Sequence, residues 1–199
     1  MSRPVQRLAF TYDDYLEWEQ HQPERHEYVR GEVFAMAGTT DRHNEISGNF
    51  YTLLRQHLRG TLCRAYMADV KVRVDAADCG FYPDVQVTCA ESDRADRLVK
   101  RSPVLVVEVL SDSTAAYDLG DKFAAYQQLD SLREYVLVDQ DRIRVQVYRR
   151  RDGQWWVDSI GPGGRLRLDS VELDCPVEAL YEDLSEPIAA ESREPERRP

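Results

Sequence analysis

Three residues in this sequence have types and surroundings that could carry out a hydrolysis. They are Asp84, directly after Tyr82-Pro83; Glu108, inside the apolar run Val104-Leu105-Val106-Val107-Glu108-Val109-Leu110; and Lys122, a little further on. A run with branched side chains on both faces of the pleat reads as a strand buried in mid-sheet. An ionised carboxylate there is costly unless a cation, a metal or a set of donors compensates it. Carboxylates on neighbouring strands, about 4.8 Å apart, can share a divalent cation, and hard oxygen ligands favour Mg²⁺ or Mn²⁺ over zinc. Such an ion polarises a phosphate and acidifies a water, while a nearby lysine orients that water or balances the developing charge. These parts suffice for phosphodiester hydrolysis. Each also has a plainer reading: Glu108 paired with an arginine or at the strand's wet end, Asp84 as a turn acid, Lys122 as a solvated helix lysine.

The elements that would position them follow from periodicity and punctuation. Thr11 caps a short helix starting at Tyr12, with Asp14 three residues after the cap and Pro23 beyond its end. Arg30-Gly31 has the composition of a hairpin turn between Glu27-Tyr28-Val29 and Val33-Phe34-Ala35-Met36. Ile46, Phe50, Leu53, Leu54 and Leu58 recur at helical spacing after Asp41, a candidate N-cap, and Gly60 stops that helix. Val70, Val72 and Val74 alternate with Asp69, Lys71 and Arg73 as a half-buried strand, and Tyr82 to Val87 form the next, with Pro83 where a missing N–H is tolerable. Residues 91–101 are polar enough to read as a flexible loop. The Glu108 strand leads through a loop at 111–114 into a helix over 117–129, with Leu119, Phe123 and Tyr126 on its apolar side. Strands follow at 135–139 and around Ile143, Val145 and Val147, with residues 154–160 and 165–168 extending the sheet. The order of elements implies a mixed α/β or α+β sheet flanked by helices.

Composition narrows the function classes. At 199 residues and 42% hydrophobic content the chain can bury the core of one domain, expected over 11–185, between an extension at 1–10 and a disordered tail at 186–199. No stretch approaches the roughly 18 apolar residues that cross a bilayer, and residues 1–7 lack an apolar signal core. A cytoplasmic protein is the expectation, with no membrane partner. Cys63, Cys79, Cys89 and Cys175 form no CxxC pair and read as ordinary thiols. A net charge of −10 argues against coating nucleic acid non-specifically, although a bound divalent ion would reverse the field locally. The absence of GxGxxG and GxxxxGK[ST] argues against a nucleotide cofactor; GxSxG and HExxH are absent too.

Tyr82-Pro83-Asp84, Val106-Val107-Glu108-Val109-Leu110-Ser111, then Asp118 and Lys122 with Tyr126, resemble the PD-(D/E)XK nuclease superfamily. More narrowly, the chain is similar to the Uma-two family of bacterial restriction endonucleases, whose opening pattern is matched by residues 27–32 and by His43-Asn44, and its later strand by Glu134-Tyr135. The resemblance spans roughly residues 10–184. It implies a restriction-endonuclease-like fold, a Mg²⁺ (or Mn²⁺) ion on Asp84, Glu108 and the Val109 backbone carbonyl, and Lys122 as the catalytic lysine. The superfamily's usual lysine position, two residues beyond Glu108, holds Leu110; Lys122 matches a lysine moved to the following helix, and Lys71 is a second candidate. Glu27 and Glu32 read as surface charges or as acids near the site, and His43 as a cap-region residue or a phosphate contact. Trp155 and Trp156 read as core and sheet-surface residues, and the arginines at 142, 144 and 149–151 as a solvated strand face. A DNA endonuclease is implied, a homodimer if both strands are cut. The alternatives are a non-catalytic interaction module and a nuclease for RNA or for branched or damaged DNA.

Overall fold

The computed structural model describes residues 11–36, 38–111, 114–185 and 188. The extension at 1–10 and, apart from Ile188, the tail at 186–199 lie outside the described residues, as do Asp112 and Ser113 of the 111–114 loop. The chain runs through α1 (Tyr12–Glu19), β1 (His26–Val29), β2 (Glu32–Ala35), α2 (Asp41–His57), β3 (Arg64–Met67), β4 (Lys71–Val74), β5 (Cys79–Phe81), β6 (Val85–Thr88), α3 (Glu91–Ala95), β7 (Val99–Lys100) and β8 (Pro103–Leu110). A helical stretch follows, α4 (Ala115–Tyr117) and α5 (Phe123–Tyr126) joined by π-helical Asp118–Lys122, and then β9 (Glu134–Asp139), β10 (Val145–Arg151), β11 (Gln154–Ile160), β12 (Arg165–Leu168) and β13 (Leu173–Pro176).

Two sheets carry the architecture. One has the order β2-β1-β5-β4-β7, the other β11-β10-β9-β8-β6-β3. In the second, β8 lies between antiparallel β6 and parallel β9. Its alternation divides two cores. Leu105, Val107 and Val109 join Ile46, Phe50 and Leu54 of α2 and the apolar side of the β12–β13 hairpin. Val106 faces the other way, toward Val72, Val74 and Phe81 of the first sheet and Phe123 and Tyr126 of α5. Since side chains alternate with period two, Glu108 shares that second face. The mixed sheet flanked by helices expected from the sequence is the fold that forms. β12 and β13 pair as a separate two-stranded sheet and do not extend the large one.

Local chemistry explains most boundaries. Thr11 and Asp14 form the reciprocal capping box, and the helix ends at Glu19, ahead of Pro23. Arg30 and Gly31 both take positive φ, 51° and 83°, as a two-residue hairpin turn with matched twist requires. The N-cap of α2 is Thr40 and not Asp41: Thr40 is extended and its hydroxyl accepts the His43 N–H at 3.2 Å, leaving Asp41 in the first turn, where its charge suits the helix dipole.

Four further expectations are overturned by tertiary contacts. β4 is buried along its whole length, because Lys71 lies over the Tyr82 ring and Arg73 over the Tyr12 ring. The polar 91–101 segment is folded into α3 and β7: buried Asp93 accepts from Thr88, Arg101 N–H and Ser102 N–H, and buried Lys100 donates to the Asp93 and Asp96 carbonyls. The helix at 117–129 is wound as a π turn in its first half, which rotates Leu119 outward to 42% exposure. Cys63 and Cys89 are not thiols but a disulfide, formed where β3 and β6 run side by side, whereas Cys79 and Cys175 are free and buried.

Candidate active site

Asp84, Glu108 and Lys122 converge from three elements on one cavity of about 380 Å³. Asp84 stands where the chain passes from the first sheet to the second, between β5 and β6. Its carboxylate accepts the Val109 N–H at 2.7 Å, which ties it to the residue after Glu108. His43, one turn into α2, places Nε2 3.3 Å from the same carboxylate oxygen. Burial pulls the His43 pKa down, but the hydrogen bond and charge of Asp84 and the Val109 carbonyl outweigh it, and the net shift is upward.

Lys122 is 5% exposed and surrounded by acids. Its Nζ lies 2.9 Å from Glu108 Oε1, 3.0 Å from Glu27 Oε1 and 3.6 Å from Asp118 Oδ1. The π winding leaves Asp118 and Lys122 both buried, with Tyr126 buried beyond them. Tyr126 donates to Glu108 Oε1 at 3.3 Å, and Tyr135 donates to the Asp118 carbonyl at 2.9 Å. Glu27 takes the Tyr82 N–H at 3.4 Å, so the Tyr82–Asp84 turn and the first hairpin are bonded to each other. Burial drives Glu108 well above the ordinary carboxylate range; Lys122 opposes this, while Asp118, Asp84 and Glu27 add to it. Burial alone would lower the Lys122 pKa, but Glu108 and Glu27 hold the ammonium protonated.

The remaining sequence candidates divide cleanly. Glu27 and His43 line the cavity. Tyr126 lies behind it as a donor to Glu108. Glu32 is across from Val29 at the hairpin and is not part of the cavity wall. Lys71 is likewise elsewhere, its ammonium 4.8 Å from the Tyr82 ring centroid and its pKa lowered by burial. The arginine stripe is structural in part: Arg149 is buried against Glu134, and Arg150 caps the Gln127 and Leu129 carbonyls and lies over Trp155. Trp155 packs on Phe123, while Trp156 is exposed, as expected of the pair. Sequence reasoning gave Asp118 no role in the site; its i,i+4 spacing from Lys122 was the available signal. Phe34, Met36 and Tyr117, which form the cavity's apolar wall, carried no signal.

Among the described residues no group of three or more His, Cys, Asp and Glu side chains is arranged to hold a metal ion. A site of two carboxylates and a carbonyl does not need one. Asp84 Oδ1 and Glu108 Oε2 accept no hydrogen bond from any described residue, and both residues line the cavity. Four acids there, Glu27, Asp84, Glu108 and Asp118, face one lysine and one histidine. Oxygen donors with an excess of negative charge fit a hard divalent cation.

The Uma2 family, described as "Putative restriction endonuclease", matches residues 12–178. The uncharacterized protein slr1290 of Synechocystis sp. (strain ATCC 27184 / PCC 6803 / Kazusa) is 37% identical over 185 residues, which cover 92% of this chain and 96% of that protein. The uncharacterized protein sll1609 of the same organism is 32% identical over 148 residues, 73% of this chain and 84% of the relative. A crystal structure described as a putative nuclease belonging to DUF820, from Anabaena variabilis ATCC 29413, superposes with a TM-score of 0.71 at 18% identity, covering 86% of this chain and 97% of that one. That likeness is one of fold. No helix among the described residues is long and apolar enough to cross a membrane.

Proposed function

The chain belongs to the Uma2 family, and from that premise we propose that it is a Mg²⁺- or Mn²⁺-dependent DNA endonuclease using water as the nucleophile. The observation that carries the reading is the meeting of Asp84, Glu108 and Lys122 in one cavity, with Lys122 Nζ 2.9 Å from Glu108. Asp84, Glu108 and the Val109 carbonyl are the groups that would hold the ion, which when bound polarises the phosphate and acidifies a water. In the step as a whole the water oxygen bonds to phosphorus, one ester P–O bond breaks, water gives up a proton and the departing oxygen gains one. The chain's part is to fix the geometry and the charge. Val109 N–H and His43 hold the Asp84 carboxylate in a single orientation. Tyr126 and Lys122 do the same for Glu108, and Lys122 keeps a positive charge beside the place where the phosphate's negative charge grows.

One such cluster among the described residues means that cutting both strands takes two copies, so a homodimer belongs to this reading. The test is incubation of the purified chain with plasmid, linear and single-stranded DNA in Mg²⁺, Mn²⁺ or EDTA. Metal-dependent cleavage that falls by roughly 100-fold or more in Asp84→Ala and in Glu108→Ala is expected. Undiminished cleavage in Glu108→Ala means a contaminant or a different site. A non-catalytic binding module is the second reading, favoured by one observation: Lys122 already neutralises Glu108, one of the two acids a metal would need. No cleavage of any DNA under any metal condition selects it.

A further inference from the structure

Glu108 is 3% exposed and Lys122 5%, while Asp84 is only half-buried, and all three line a cavity of about 380 Å³. That volume is at the small end for a ligand pocket and suits one nucleotide unit; a base still paired and stacked in a double helix cannot enter it without leaving the stack. Part of the cavity lining is apolar, and two of its residues, Phe34 and Met36, lie outside the packed cores. Phe34 stands directly across from Glu27 in the β1–β2 pairing, on the same face, and Met36 lies two residues on. Neither belongs to any of the buried apolar clusters among the described residues, yet both line the cavity, together with Tyr117, which packs against the core of Phe123 and Tyr126. Among the described residues the cations in the lining are Lys122 and His43, both engaged by acids, so the cavity offers little to track a duplex backbone by charge.

We propose that the cavity admits a single unstacked nucleotide of single-stranded or locally unpaired DNA, with the base against Phe34, Met36 and Tyr117 and the phosphate at Asp84 and Glu108. The proposal rests on the nuclease reading for its chemistry and on the apolar wall for its selectivity. An aromatic or thioether surface holds any base by its face and is indifferent to sequence. The energy of unpairing falls on a duplex substrate and not on a strand already single, which produces the discrimination.

The experiment uses the full chain and labelled oligonucleotides of one sequence in four forms: single-stranded DNA, perfect duplex, duplex with a central unpaired bubble, and single-stranded RNA. Cleavage is followed in Mg²⁺ and binding by fluorescence anisotropy in Ca²⁺, a hard cation that oxygen ligands also hold. Single-stranded and bubble DNA are expected to exceed duplex by 10-fold or more in kcat/KM, with cuts confined to unpaired nucleotides. Phe34→Ala should raise KM for single-stranded DNA roughly 10-fold, more than it lowers kcat, and Phe34→Leu, which keeps apolar bulk in case the smaller side chain unsettles the hairpin, should raise it less. Duplex cut as fast as single strands, an unchanged KM in both Phe34 variants, or a preference for RNA overturns the proposal. If no DNA is cut, the nuclease reading fails on its own and anisotropy decides the cavity. Tighter binding of single-stranded DNA than duplex, weakened by Phe34→Ala, upholds it, and equal or absent binding overturns it.

Discussion

Lys122 sits where three carboxylates would otherwise repel one another, within 4 Å of Glu108, Glu27 and Asp118. Replacing it by Met keeps the length and removes the charge. Breaking a buried ion pair from one side costs about 3–5 kcal/mol because the remaining charge has no partner, so Lys122→Met should lower unfolding stability by that order and abolish cleavage. Urea denaturation measures the first effect. A loss under 1 kcal/mol would show that the acids shed their charge by taking up protons and that the ammonium is not what stabilises them. Gly80 gives a second residue-scale test. A Cβ there would meet Tyr12 Cε2 at 2.6 Å, so Gly80→Ala should cost about 1–3 kcal/mol by forcing the ring of α1 off the sheet. A thermal midpoint equal to that of the parent would mean the ring moves freely.

At the scale of elements, the π-helical turn Asp118–Lys122 has the largest functional consequence. It lets the stretch that opens after β8 carry Asp118 and Lys122 inward while Leu119 and Gly120 face outward. Gly120 has open space where a Cβ would go and no positive φ, so Gly120→Ala should stabilise the fold by roughly 0.4–1 kcal/mol through the unfolded chain alone. A loss of stability would mean that the turn needs glycine's backbone freedom. The Cys63–Cys89 link is the other element-scale device. It closes a loop of 26 residues between β3 and β6, and a closure of that length is worth about 3 kcal/mol. Thiol titration of the denatured, unreduced protein should count two free groups, Cys79 and Cys175, and reduction should lower stability by that amount. Four titratable thiols would return the pair to the ordinary cysteines that spacing alone suggests.

For the molecule as a whole, tyrosine is a distributed pH sensor. Burial raises the pKa of Tyr12, Tyr15, Tyr82, Tyr117, Tyr126, Tyr135 and Tyr181 above the ordinary 10. A group whose folded pKa is raised keeps its full stabilising contribution below the unfolded pKa and loses it as pH climbs toward the folded value. Above pH 10 the unfolded chain therefore gives up protons that the native state retains, and stability falls by up to about 1.4 kcal/mol per pH unit for each such tyrosine. A steep alkaline unfolding with tyrosinate absorbance rising in the same transition is expected. Most of the 11 tyrosines ionising near pH 10 while circular dichroism stays native is the contrary result. Around the cavity these residues also supply donors: the Tyr126 hydroxyl to Glu108, the Tyr82 backbone N–H to Glu27, and the Tyr135 hydroxyl to the Asp118 backbone.

Sequence by itself determined the elements whose signals are local. The capping box of α1, the Arg30-Gly31 turn, the helical spacing of α2 and the apolar run of β8 around Glu108 depend on neighbours along the chain, and each formed as its pattern required. It also singled out Glu108, because an acid inside an apolar strand is unusual wherever it folds, while Asp84 and Lys122 stood out only in order with it, as the family resemblance implies. What the tertiary structure decided is what depends on distant partners. β4 lost its wet face to two tyrosine rings, the 91–101 segment folded because Asp93 and Lys100 found backbone partners, and Cys63 met Cys89 across a strand pair. Glu27 and Asp118 became neighbours of Lys122 in the same way, through a hairpin from the other sheet and a π turn. Charge compensation acts through space over a few ångströms, and residues close in space need not be close in the chain.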